Sequence, residues 1–367
     1  STVYVNKADM SLHFHRLTVK EIKKETPECV SVLFEVPETL QNDFLFSQGQ
    51  SLTLRTTING EEIRRNYSIC SSPLENKLKV AIKKVEGGVF SSFANEQLKK
   101  GDVLDVMPPV GKFNTPLHPE NKKNYLAFAA GSGITPVISL IKTTLATEKR
   151  SRFTLVFGNR NRGSIIFFEE LEALKNQYME RFSLVHILSR ERMDTDLNFG
   201  RISHEKLEEL DRLEGFTGTD EFFICGPSEM IFTVKAFLEK KGIAGKQIHL
   251  ELFNSSKSPQ TTVDRPQTGT TGAVSAVNVK VDGRSFEVAI PLNSNQTILD
   301  AALQQGADLP YACKGGMCCT CKARLLEGEV SMDVHWGLED EEVAKGYILT
   351  CQSHPKTEKV VVDFDAK

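Results

Sequence analysis

Apolar and polar residues alternate in short segments through roughly the first 115 residues of this chain. A period of two, interrupted by Gly, Pro and Asn, is typical of antiparallel strands that bury one face. The strands predicted by this pattern are His13–Lys24, Val30–Val36, Ser51–Ile58, Glu62–Ile69, Lys77–Val85 and Val103–Met107. We therefore expect an antiparallel β-barrel or sandwich over residues 1–115.

The pattern changes after residue 120, where apolar runs of strand length alternate with segments of helical period. The predicted strands are Asn124–Ala130, Phe153–Phe157, Phe182–Leu188 and Glu221–Ile224, and the predicted helices are Pro136–Thr147, Phe168–Gln177 and Pro227–Lys240. Such alternation is typical of a parallel sheet with helices on its faces. The sequence thus predicts an α/β domain over residues 116–253.

A stretch rich in Ser, Thr, Gln, Pro and Gly follows at residues 254–273 and shows no apolar periodicity. This composition favours a flexible linker, so residues 274–367 are expected to form a third domain. That segment has 9 Lys+Arg against 14 Asp+Glu, a net charge of −5, which leaves +2 for residues 1–273. An acidic domain can dock against a more basic surface, and an ordinary solvated surface is the alternative.

Composition excludes several classes of protein. The chain has 367 residues, 40% hydrophobic and 25% charged, which is ordinary for a globular protein of two or three domains. No apolar run is long enough to span a bilayer, and the N-terminus lacks a signal-peptide pattern. A net charge of −3 gives no indication of nucleic-acid binding. We expect a cytoplasmic protein without a nucleic-acid or membrane partner.

Four cysteines near the C-terminus have the spacing Cys-x4-Cys-x2-Cys, followed by a long gap to the last. They are Cys313, Cys318, Cys321 and Cys351. This is the ligand spacing of a plant-type [2Fe–2S] ferredoxin, and Gly315 and Gly316 suit a tight loop that turns N–H groups toward an anionic cluster. The alternatives are a zinc site, which usually has two short ligand pairs, and a disulfide pair, which needs an oxidising compartment. Cys319 does not fit the ligand count and is expected to be a small loop residue, with a redox role as the alternative.

Further motifs lie where predicted strands end. In Arg65-Asn66-Tyr67-Ser68 the guanidinium can pair with a diphosphate, the ring can stack on a flat heterocycle and the hydroxyl can bond to its edge. Gly87-Gly88-Val89-Phe90-Ser91-Ser92 opens a helix whose first N–H groups favour a phosphate; a plain turn with Ser91 as N-cap is the alternative. Gly131-Ser132-Gly133-Ile134-Thr135-Pro136 and Cys225-Gly226-Pro227 follow strands of the α/β domain, where open sheets bind ligands.

In this order the motifs resemble those of the ferredoxin–NADP⁺ reductase superfamily, over residues from about 11 to 253, joined to a plant-type ferredoxin from about 274 onward. The stretch Pro310–Arg324 is similar to that of reductase subunits of bacterial phenylacetyl-CoA 1,2-epoxidase complexes. The resemblance implies several domains with distinct folds. They are a flavin-binding antiparallel β-barrel at 1–115, an NADP-binding parallel-sheet α/β domain at 116–253, the linker at 254–273 and an α+β β-grasp [2Fe–2S] ferredoxin domain at 274–367.

The resemblance also implies which residues hold each cofactor. FAD is expected, with FMN as the alternative, with Arg65 at its diphosphate, Tyr67 stacked on the ring and Ser68 near N5. The remaining expected flavin contacts are Asn66, Lys83, Gly88, Val89, Phe90, Ser91 and Phe253. The expected contacts of the nicotinamide coenzyme are Gly131, Gly133, Thr135, Pro136, Ser189, Arg190, Arg201, Cys225 and Gly226. The residues expected to align the two rings for catalysis are Ser68, Cys225 and Glu251.

The choice of coenzyme depends on the stretch that follows Phe182–Leu188. Ser189-Arg190 and Arg201 are the residue types that bind the 2′-phosphate in NADPH-using relatives, because a guanidinium suits that dianion. NADH users tend to place an acid nearby, and Asp194 and Asp196 are close in sequence. We favour NADPH, and surface charge is the alternative explanation for the two arginines.

The function implied by the resemblance is an electron-transfer oxidoreductase that passes electrons from NADPH through FAD and [2Fe–2S] to a di-iron oxygenase, for ring 1,2-epoxidation of phenylacetyl-CoA in phenylacetate catabolism. One alternative keeps the enzyme and changes the partner to a Rieske dioxygenase or another di-iron hydroxylase. Alternatives of other classes are a redox-sensing iron–sulfur protein and a zinc-stapled scaffold.

Overall fold

The computed structural model describes residues 13–193, 195–253 and 273–366. The described residues divide into two compact units, Phe14–Phe253 and a smaller unit that contains residues 273–366. Almost all of the predicted linker, residues 254–272, and Asp194 lie outside the described residues.

The first layer of the larger unit is a six-stranded antiparallel sheet in the order β4-β3-β6-β1-β2-β5. Its strands are β1 (His15–Thr26), β2 (Cys29–Glu35), β3 (Ser51–Ile58), β4 (Glu61–Ser68), β5 (Leu78–Lys83) and β6 (Val103–Val106). An antiparallel bridge joins Ile69, just after β4, to Val80 in β5. The two edge strands therefore meet, and the sheet closes into a barrel, as predicted. Helix α1 (Val89–Glu96) buries Phe90 and Ala94 against the barrel core.

The second layer is a five-stranded parallel sheet in the order β11-β10-β7-β8-β9. Its strands are β7 (Asn124–Ala130), β8 (Arg152–Asn159), β9 (Phe182–Leu188), β10 (Glu221–Gly226) and β11 (Ile248–Leu252), and its helices are α2 (Ile134–Thr147), α3 (Phe168–Gln177), α4 (His204–Glu214) and α5 (Ser228–Lys240). The strand order reverses between β7 and β10. Open α/β sheets bind ligands at such a switch point, beyond the carboxyl ends of the strands.

Two elements of this layer were absent from the predictions. Helix α4 is mostly charged and buries only Leu207 and Leu210, so its apolar stripe is narrow. Strand β11 is short and half-buried along its whole length at the sheet edge. Both were missed because α4 is mostly charged and β11 is only five residues long, and most of their side chains face solvent or the rim of the core.

The barrel and the parallel sheet share a seam along α2. The Ser139 hydroxyl donates to the Ser71 carbonyl at 2.7 Å, and the hydroxyls of Ser72 and Thr143 are 2.9 Å apart. Cys70 also belongs to the apolar core that α2 forms with the sheet. Helix α2 is therefore held in a fixed position relative to the barrel.

A buried cation strengthens the seam. Lys142 in α2 is 8% exposed, and its Nζ lies 3.1 Å from Glu75 Oε2 and 2.8 Å from Glu170 Oε1. Burial alone would lower the pKa of Lys142, but the two carboxylates outweigh it and the pKa is raised. Burial alone would raise the pKa of Glu170, but the charge of Lys142 outweighs this effect and the pKa is lowered. Both directions indicate an ion pair that the folded state stabilises.

The smaller unit contains a mixed five-stranded sheet in the order β13-β12-β18-β14-β16 and a two-stranded β15-β17 ribbon. Its elements are β12 (Val274–Val281), β13 (Arg284–Pro291), α6 (Ile298–Gln304), β14 (Lys322–Glu327), β15 (Val330–Met332), α7 (Asp340–Ala344), β16 (Tyr347–Leu349), β17 (Ser353–Pro355) and β18 (Lys359–Asp363). The central β12 and β18 are parallel, and the other pairs are antiparallel. Helix α6 packs its buried face on this sheet, which is the expected α+β β-grasp arrangement. No helix in the described ranges combines the length and the apolar character needed to cross a bilayer.

The seam ion pair gives a stability prediction. Lys142→Met leaves two carboxylates without their cation, and Glu75 and Glu170 are each about a third exposed. We expect the free energy of unfolding to fall by about 2 kcal/mol, less than the loss from a fully buried pair. Urea titration of the intact protein, followed by the fluorescence of released flavin, measures it.

Lys235→Met is the matched control. Lys235 pairs with Glu239 one turn further along an exposed helix face, where a pair is worth about 0.5 kcal/mol or less. Equal effects of the two substitutions would contradict the proposed importance of the seam.

Candidate functional site

The end of β4 presents the predicted Arg-x-Tyr-Ser motif at the barrel wall. Tyr67 is half-buried, its ring lies 5.6 Å from that of Phe90 in α1, and burial raises the pKa of its hydroxyl. Arg65 is exposed, and its Nη1 donates to the carbonyl of its neighbour Arg64 at 2.7 Å. On the other strand face Asn66 Nδ2 donates to Ser51 Oγ at 2.9 Å, while its Oδ1 is buried and has no hydrogen-bond partner among the described residues. The wall thus offers an aromatic face, an exposed cation and an unused acceptor.

The start of α1 is shaped to receive an anion. Gly87 has a φ of +72° and Gly88 is the N-cap, with no side chain capping the helix. Ser91 Oγ accepts from the Val85 N–H at 3.0 Å and donates to the Gly88 carbonyl at 3.2 Å. The Ser91 hydroxyl therefore ties the turn together, and the alternative in which Ser91 is the N-cap is wrong. The N–H groups of the first turn, which have no intrahelical acceptor, remain for a phosphate.

The loop after β7 approaches β10 unusually closely. A Cβ on Gly133 would lie 2.0 Å from the Cys225 carbonyl oxygen, and one on Gly226 would lie 2.8 Å from Met230 Cε. Gly131 has a φ of +53°, and residues 131–133 form a 3₁₀ turn that leads into α2. The loop therefore places the N-terminus of α2 at the sheet switch point, where backbone N–H groups favour a diphosphate.

Three other predicted contacts lie around this loop. Thr135 and Pro136 are buried, and the Thr135 hydroxyl donates to the Ser132 carbonyl at 3.0 Å, so it supports the loop. Proline in the first helical turn costs no hydrogen bond. Lys83 Nζ lies 3.6 Å from the position that a Cβ on Gly131 would take. This lysine, predicted at the flavin phosphates, thus also lies beside the coenzyme loop.

The three predicted catalytic residues come together where the barrel meets the sheet. Cys225 and Glu251 are register partners on β10 and β11, and Ser68 Oγ lies 3.5 Å from Glu251 Oε1. Cys225 is fully buried, and its pKa is raised well above the usual value by burial and then by the Glu251 carboxylate. The thiol is therefore uncharged at neutral pH. Phe253, two residues beyond Glu251, is 37% exposed and can cover a flat ring.

The predicted coenzyme arginines lie beyond β9. Arg190 N–H donates to the Arg160 carbonyl at 2.8 Å, and Ser189 N–H donates to the Asn159 carbonyl at 3.0 Å. Arg190 and Arg201 are exposed, and no carboxylate among the described residues pairs with either. By contrast, Arg192 lies 3.6 Å from Asp196 and covers the Phe199 ring. Asp196 is thus engaged with Arg192, and Asp194 is not described.

The cluster loop needs left-handed backbone at several positions. Lys314, Gly316 and Cys319 have φ values of +49°, +75° and +56°. A Cβ on Gly316 would lie 2.8 Å from Val334 Cγ2, so glycine is required there by contact as well as by conformation. The loop turns the N–H groups of Gly315 and Cys318 toward the Cys313 sulfur, at 3.3 and 3.5 Å.

The four predicted ligands form two pairs. Cys318 is the largest influence on the pKa of Cys313, and Cys321 is the largest influence on the pKa of Cys351. The thiol of Cys318 and backbone N–H groups lower the pKa of Cys313 to about 6, against the effect of burial. The thiol of Cys321 likewise lowers the pKa of Cys351, with help from the Gly316 N–H.

This pairing bears on which metal group fits. In the described part of the chain no three or more Cys, His, Asp or Glu side chains converge on one ion. A tetrahedral zinc ion needs four ligands at one point, whereas a [2Fe–2S] cluster takes two thiolates on each iron. The arrangement of the thiols in two pairs therefore fits a two-iron cluster better than zinc.

Cys319 and Gln352 lie beside the predicted ligands. Cys319 Sγ donates to the Gly337 carbonyl at 2.8 Å, which ties the loop to the segment before α7. Gln352 was not predicted to have a role. Its Nε2 donates to the Lys314 carbonyl at 2.9 Å and lies 3.6 Å from Cys351 Sγ. A polar residue next to the last cysteine was the sequence signal for such a contact, since ligand sulfurs usually receive hydrogen bonds.

Three family models match the chain in succession. Residues 16–115 match the oxidoreductase FAD-binding domain, residues 128–236 the oxidoreductase NAD-binding domain, and residues 279–356 the 2Fe-2S iron-sulfur cluster binding domain. These are the three groups that the barrel, the sheet switch point and the cysteine loop are shaped to hold.

Two relatives match the chain over nearly the whole of their own length. The chain is 47% identical over 355 residues to a subunit of 1,2-phenylacetyl-CoA epoxidase from Escherichia coli K12, and the match covers 96% of this chain and 98% of that protein. It is 35% identical to the ferredoxin reductase component of 3-ketosteroid-9-alpha-monooxygenase from Rhodococcus rhodochrous, over 95% of this chain and 96% of that protein. The chain belongs to the ferredoxin–NADP⁺ reductase superfamily, in the group that ends in a [2Fe–2S] domain.

The solved structure of phthalate dioxygenase reductase shares the fold of this reductase. It superposes with a TM-score of 0.57 at 25% identity, over 96% of this chain and 98% of that one. The expected fold class, the three cofactor types and the assignment as an NAD(P)H-dependent electron-transfer oxidoreductase are thereby confirmed.

The close approach of Gly133 to Cys225 gives a prediction for this reductase. Gly133→Ala must push the loop away from the β10 carbonyl, which misplaces the coenzyme relative to the flavin. A displacement of about 1 Å can cost about a hundredfold in rate, and we expect a loss of that order in kcat/KM for the nicotinamide coenzyme. Stopped-flow reduction of the flavin measures it, and chemical reduction with dithionite should be unaffected.

Gly163→Ala is the control, because the nearest atom to its added Cβ is Asn161 Oδ1 at 3.6 Å. A Gly133→Ala enzyme that its coenzyme still reduces at the wild-type rate would refute the role of this contact.

Proposed function

We propose that this reductase takes electrons from NADPH and delivers them to a di-iron oxygenase that converts phenylacetyl-CoA to its ring 1,2-epoxide. The observation that carries the proposal is 47% identity, across nearly the whole of both chains, to a subunit of 1,2-phenylacetyl-CoA epoxidase. The setting that we propose is phenylacetate catabolism in the cytoplasm, where the thiolate ligands stay reduced.

The proposal assigns the chemistry to separate places along the chain. Bound FAD accepts two electrons as a hydride from the coenzyme and releases them singly, and the cluster carries one electron at a time. The proposed domains are residues 1–115 for FAD, 116–253 for the coenzyme and 274–367 for the cluster. Residues 254–273 form the proposed linker between the second domain and the third.

In the flavin domain, Tyr67 provides a face for the ring and Phe90 supports Tyr67 from behind. Arg65 and the N-terminus of α1, from Gly88 to Ser91, hold the phosphates, and Lys83 adds positive charge next to them. Asn66 contributes the buried acceptor described above, which a cofactor donor can use.

At the junction, Ser68, Cys225 and Glu251 orient the two rings and exclude water. Because the Cys225 thiol stays protonated, it contributes shape and a weak hydrogen bond. Phe253 closes the outer side. In the coenzyme domain, Gly131, Gly133 and Gly226 let backbone approach the coenzyme, and Thr135 and Pro136 fix the helix that begins there.

The proposed cluster ligands are Cys313, Cys318, Cys321 and Cys351. Loss of one ligand should stop reduction of the partner and leave the flavin chemistry intact. In Cys351→Ser the relay should stop at the flavin. We expect NADPH oxidation with ferricyanide, which takes electrons from flavin, to stay near the wild-type rate, and epoxide formation with the purified oxygenase subunits and phenylacetyl-CoA to be abolished.

Cys319→Ser is the matched control, since that thiol donates to the Gly337 carbonyl and lies outside the ligand spacing. It should keep the [2Fe–2S] spectrum and epoxide formation. Wild-type enzyme that reduces cytochrome c but supports no epoxidation would reject the partner and leave a different oxygenase, of the Rieske or another di-iron class, as the acceptor.

The preference for NADPH is proposed to come from Ser189, Arg190 and Arg201. Loss of one guanidinium-to-phosphate contact typically costs about tenfold or more in affinity. Arg190→Gln should lower kcat/KM for NADPH by about that factor and leave kcat/KM for NADH unchanged. Steady-state kinetics with both coenzymes measure the ratio.

Arg192→Gln is the control for Arg190→Gln, because Arg192 is already engaged with Asp196 and Phe199. If both substitutions lower kcat/KM for NADPH equally, general surface charge explains the preference for NADPH. If neither changes it, Arg190 does not contact the 2′-phosphate.

A further inference from the structure

A buried histidine lies close to the cluster ligands and belongs to none of the roles above. His354 is in β17, which pairs with β15 on one side and packs against α6 on the other. Its Nε2 lies 2.8 Å from Asp333 Oδ2, and its Nδ1 lies 3.2 Å from the Gln296 carbonyl oxygen. Both ring nitrogens are therefore in hydrogen-bond contact.

The chemistry of these two partners decides the charge of the ring. A backbone carbonyl and an ionised carboxylate can only accept hydrogen bonds, so both nitrogens must carry a proton for both contacts to form. The imidazolium is the form of His354 that satisfies both contacts. Neutral imidazole would turn one lone pair toward an oxygen lone pair inside the protein, where unpaired polar groups are costly.

Proton exchange with solvent is open through the carboxylate. The Asp333 side chain is 57% exposed, whereas the His354 ring is buried. Asp333 can therefore relay a proton between water and Nε2 without any movement of the β15-β17 ribbon.

The charged groups on the neighbouring elements are otherwise engaged. On α6 the ionisable residue is Asp300, which is paired with Lys314 at 2.8 Å. Strand β15 (Val330–Met332) has no ionisable side chain of its own, and its flanking Glu329 and the Lys356 that follows β17 meet through backbone atoms. The carboxylate of Asp333 is the charge in direct contact with the ring.

The ring is connected to a proposed cluster ligand. Cys351 precedes His354 by three residues, so their Cα atoms are at most about 11 Å apart. The Asp333 N–H donates to the Gln352 carbonyl at 2.9 Å, and Gln352 Nε2 reaches Cys351 Sγ at 3.6 Å. A cation at this distance, inside the protein and only partly screened, stabilises additional negative charge on the cluster.

We propose that His354, held by Asp333 and the Gln296 carbonyl, is a positioning residue that couples cluster reduction to proton binding. The electron would come from the flavin and the proton from a hydronium ion by way of Asp333, so that one O–H bond of hydronium breaks and one N–H bond forms on the imidazole. By linkage, the reduced cluster makes His354 hold its proton more tightly, and the protonated ring raises the reduction potential of the cluster to the same extent. The inference rests on the cysteine ligation proposed above.

The test is a redox titration of the cluster in the intact holoenzyme at a series of pH values, followed by its visible and EPR spectra. In the wild type the midpoint potential should fall over one window as pH rises, because the ring loses its proton there. His354→Gln should have a lower potential at acidic pH and no slope in that window.

Two further variants keep the result interpretable. Asp333→Asn keeps the ring but removes the anion that holds the imidazolium, so the falling segment should move to lower pH. His335→Gln removes an exposed histidine of the neighbouring segment and should behave as the wild type. A pH-independent wild-type potential, an unchanged slope in His354→Gln or an unshifted profile in Asp333→Asn would each overturn the proposal.

Iron and sulfide analysis of the same samples separates this inference from the ligation on which it rests. A wild type that holds no iron or sulfide refutes the cysteine ligation itself. A fully loaded wild type with a flat profile refutes only the role of His354.

Discussion

The groups that this reductase handles are anions, and the fold meets them with backbone N–H groups in fixed positions. The phosphates of FAD are proposed at the start of α1, and the diphosphate of the coenzyme at the start of α2. At the cluster loop the N–H groups of Gly315 and Cys318 point at the Cys313 sulfur. A backbone donor brings no counter-charge that must itself be desolvated and no long side chain that must be ordered. Such sites are therefore rigid, as electron and hydride transfer require.

This use of backbone N–H groups explains why glycines lie in close contact with neighbouring segments at these places. Gly133 and Gly316 lie where a Cβ would meet the Cys225 carbonyl or the Val334 side chain. A loop pressed this closely against a neighbouring strand cannot shift by itself. Because α2 is also tied to the barrel through Ser139 and Lys142, the coenzyme loop and the flavin wall form one mechanical body. The seam is therefore expected to matter for the proposed chemistry, because it fixes the position of the helix that follows the coenzyme loop.

Much of the fold and of the cluster loop could be predicted from the sequence, because the sequence patterns that indicate them are local. The spacing of the four cysteines needs only one loop and one returning strand, and the predicted bounds of α3 and β9 are confirmed. Contacts such as Ser68 with Glu251 join residues far apart in the chain, and the resemblance to a known superfamily was needed to group them. Gln352 and His354 were missed because their roles depend on which acceptor each side chain meets. Neither residue belongs to a motif.

The junction of Ser68, Cys225 and Glu251 shows how burial selects a role. A thiol is often assumed to act as a nucleophile, but Cys225 is buried and faces a carboxylate, and both effects keep it protonated. Of these three side chains, Glu251 is the one that carries a carboxyl group. If the nicotinamide ring binds at this junction as proposed, that acid would lie where the ring gains positive charge on giving up its hydride, and a fixed acid there would favour the change. A thiolate at Cys225 would add a negative charge beside the proposed site of the flavin, so the burial that keeps this thiol protonated suits the proposed chemistry.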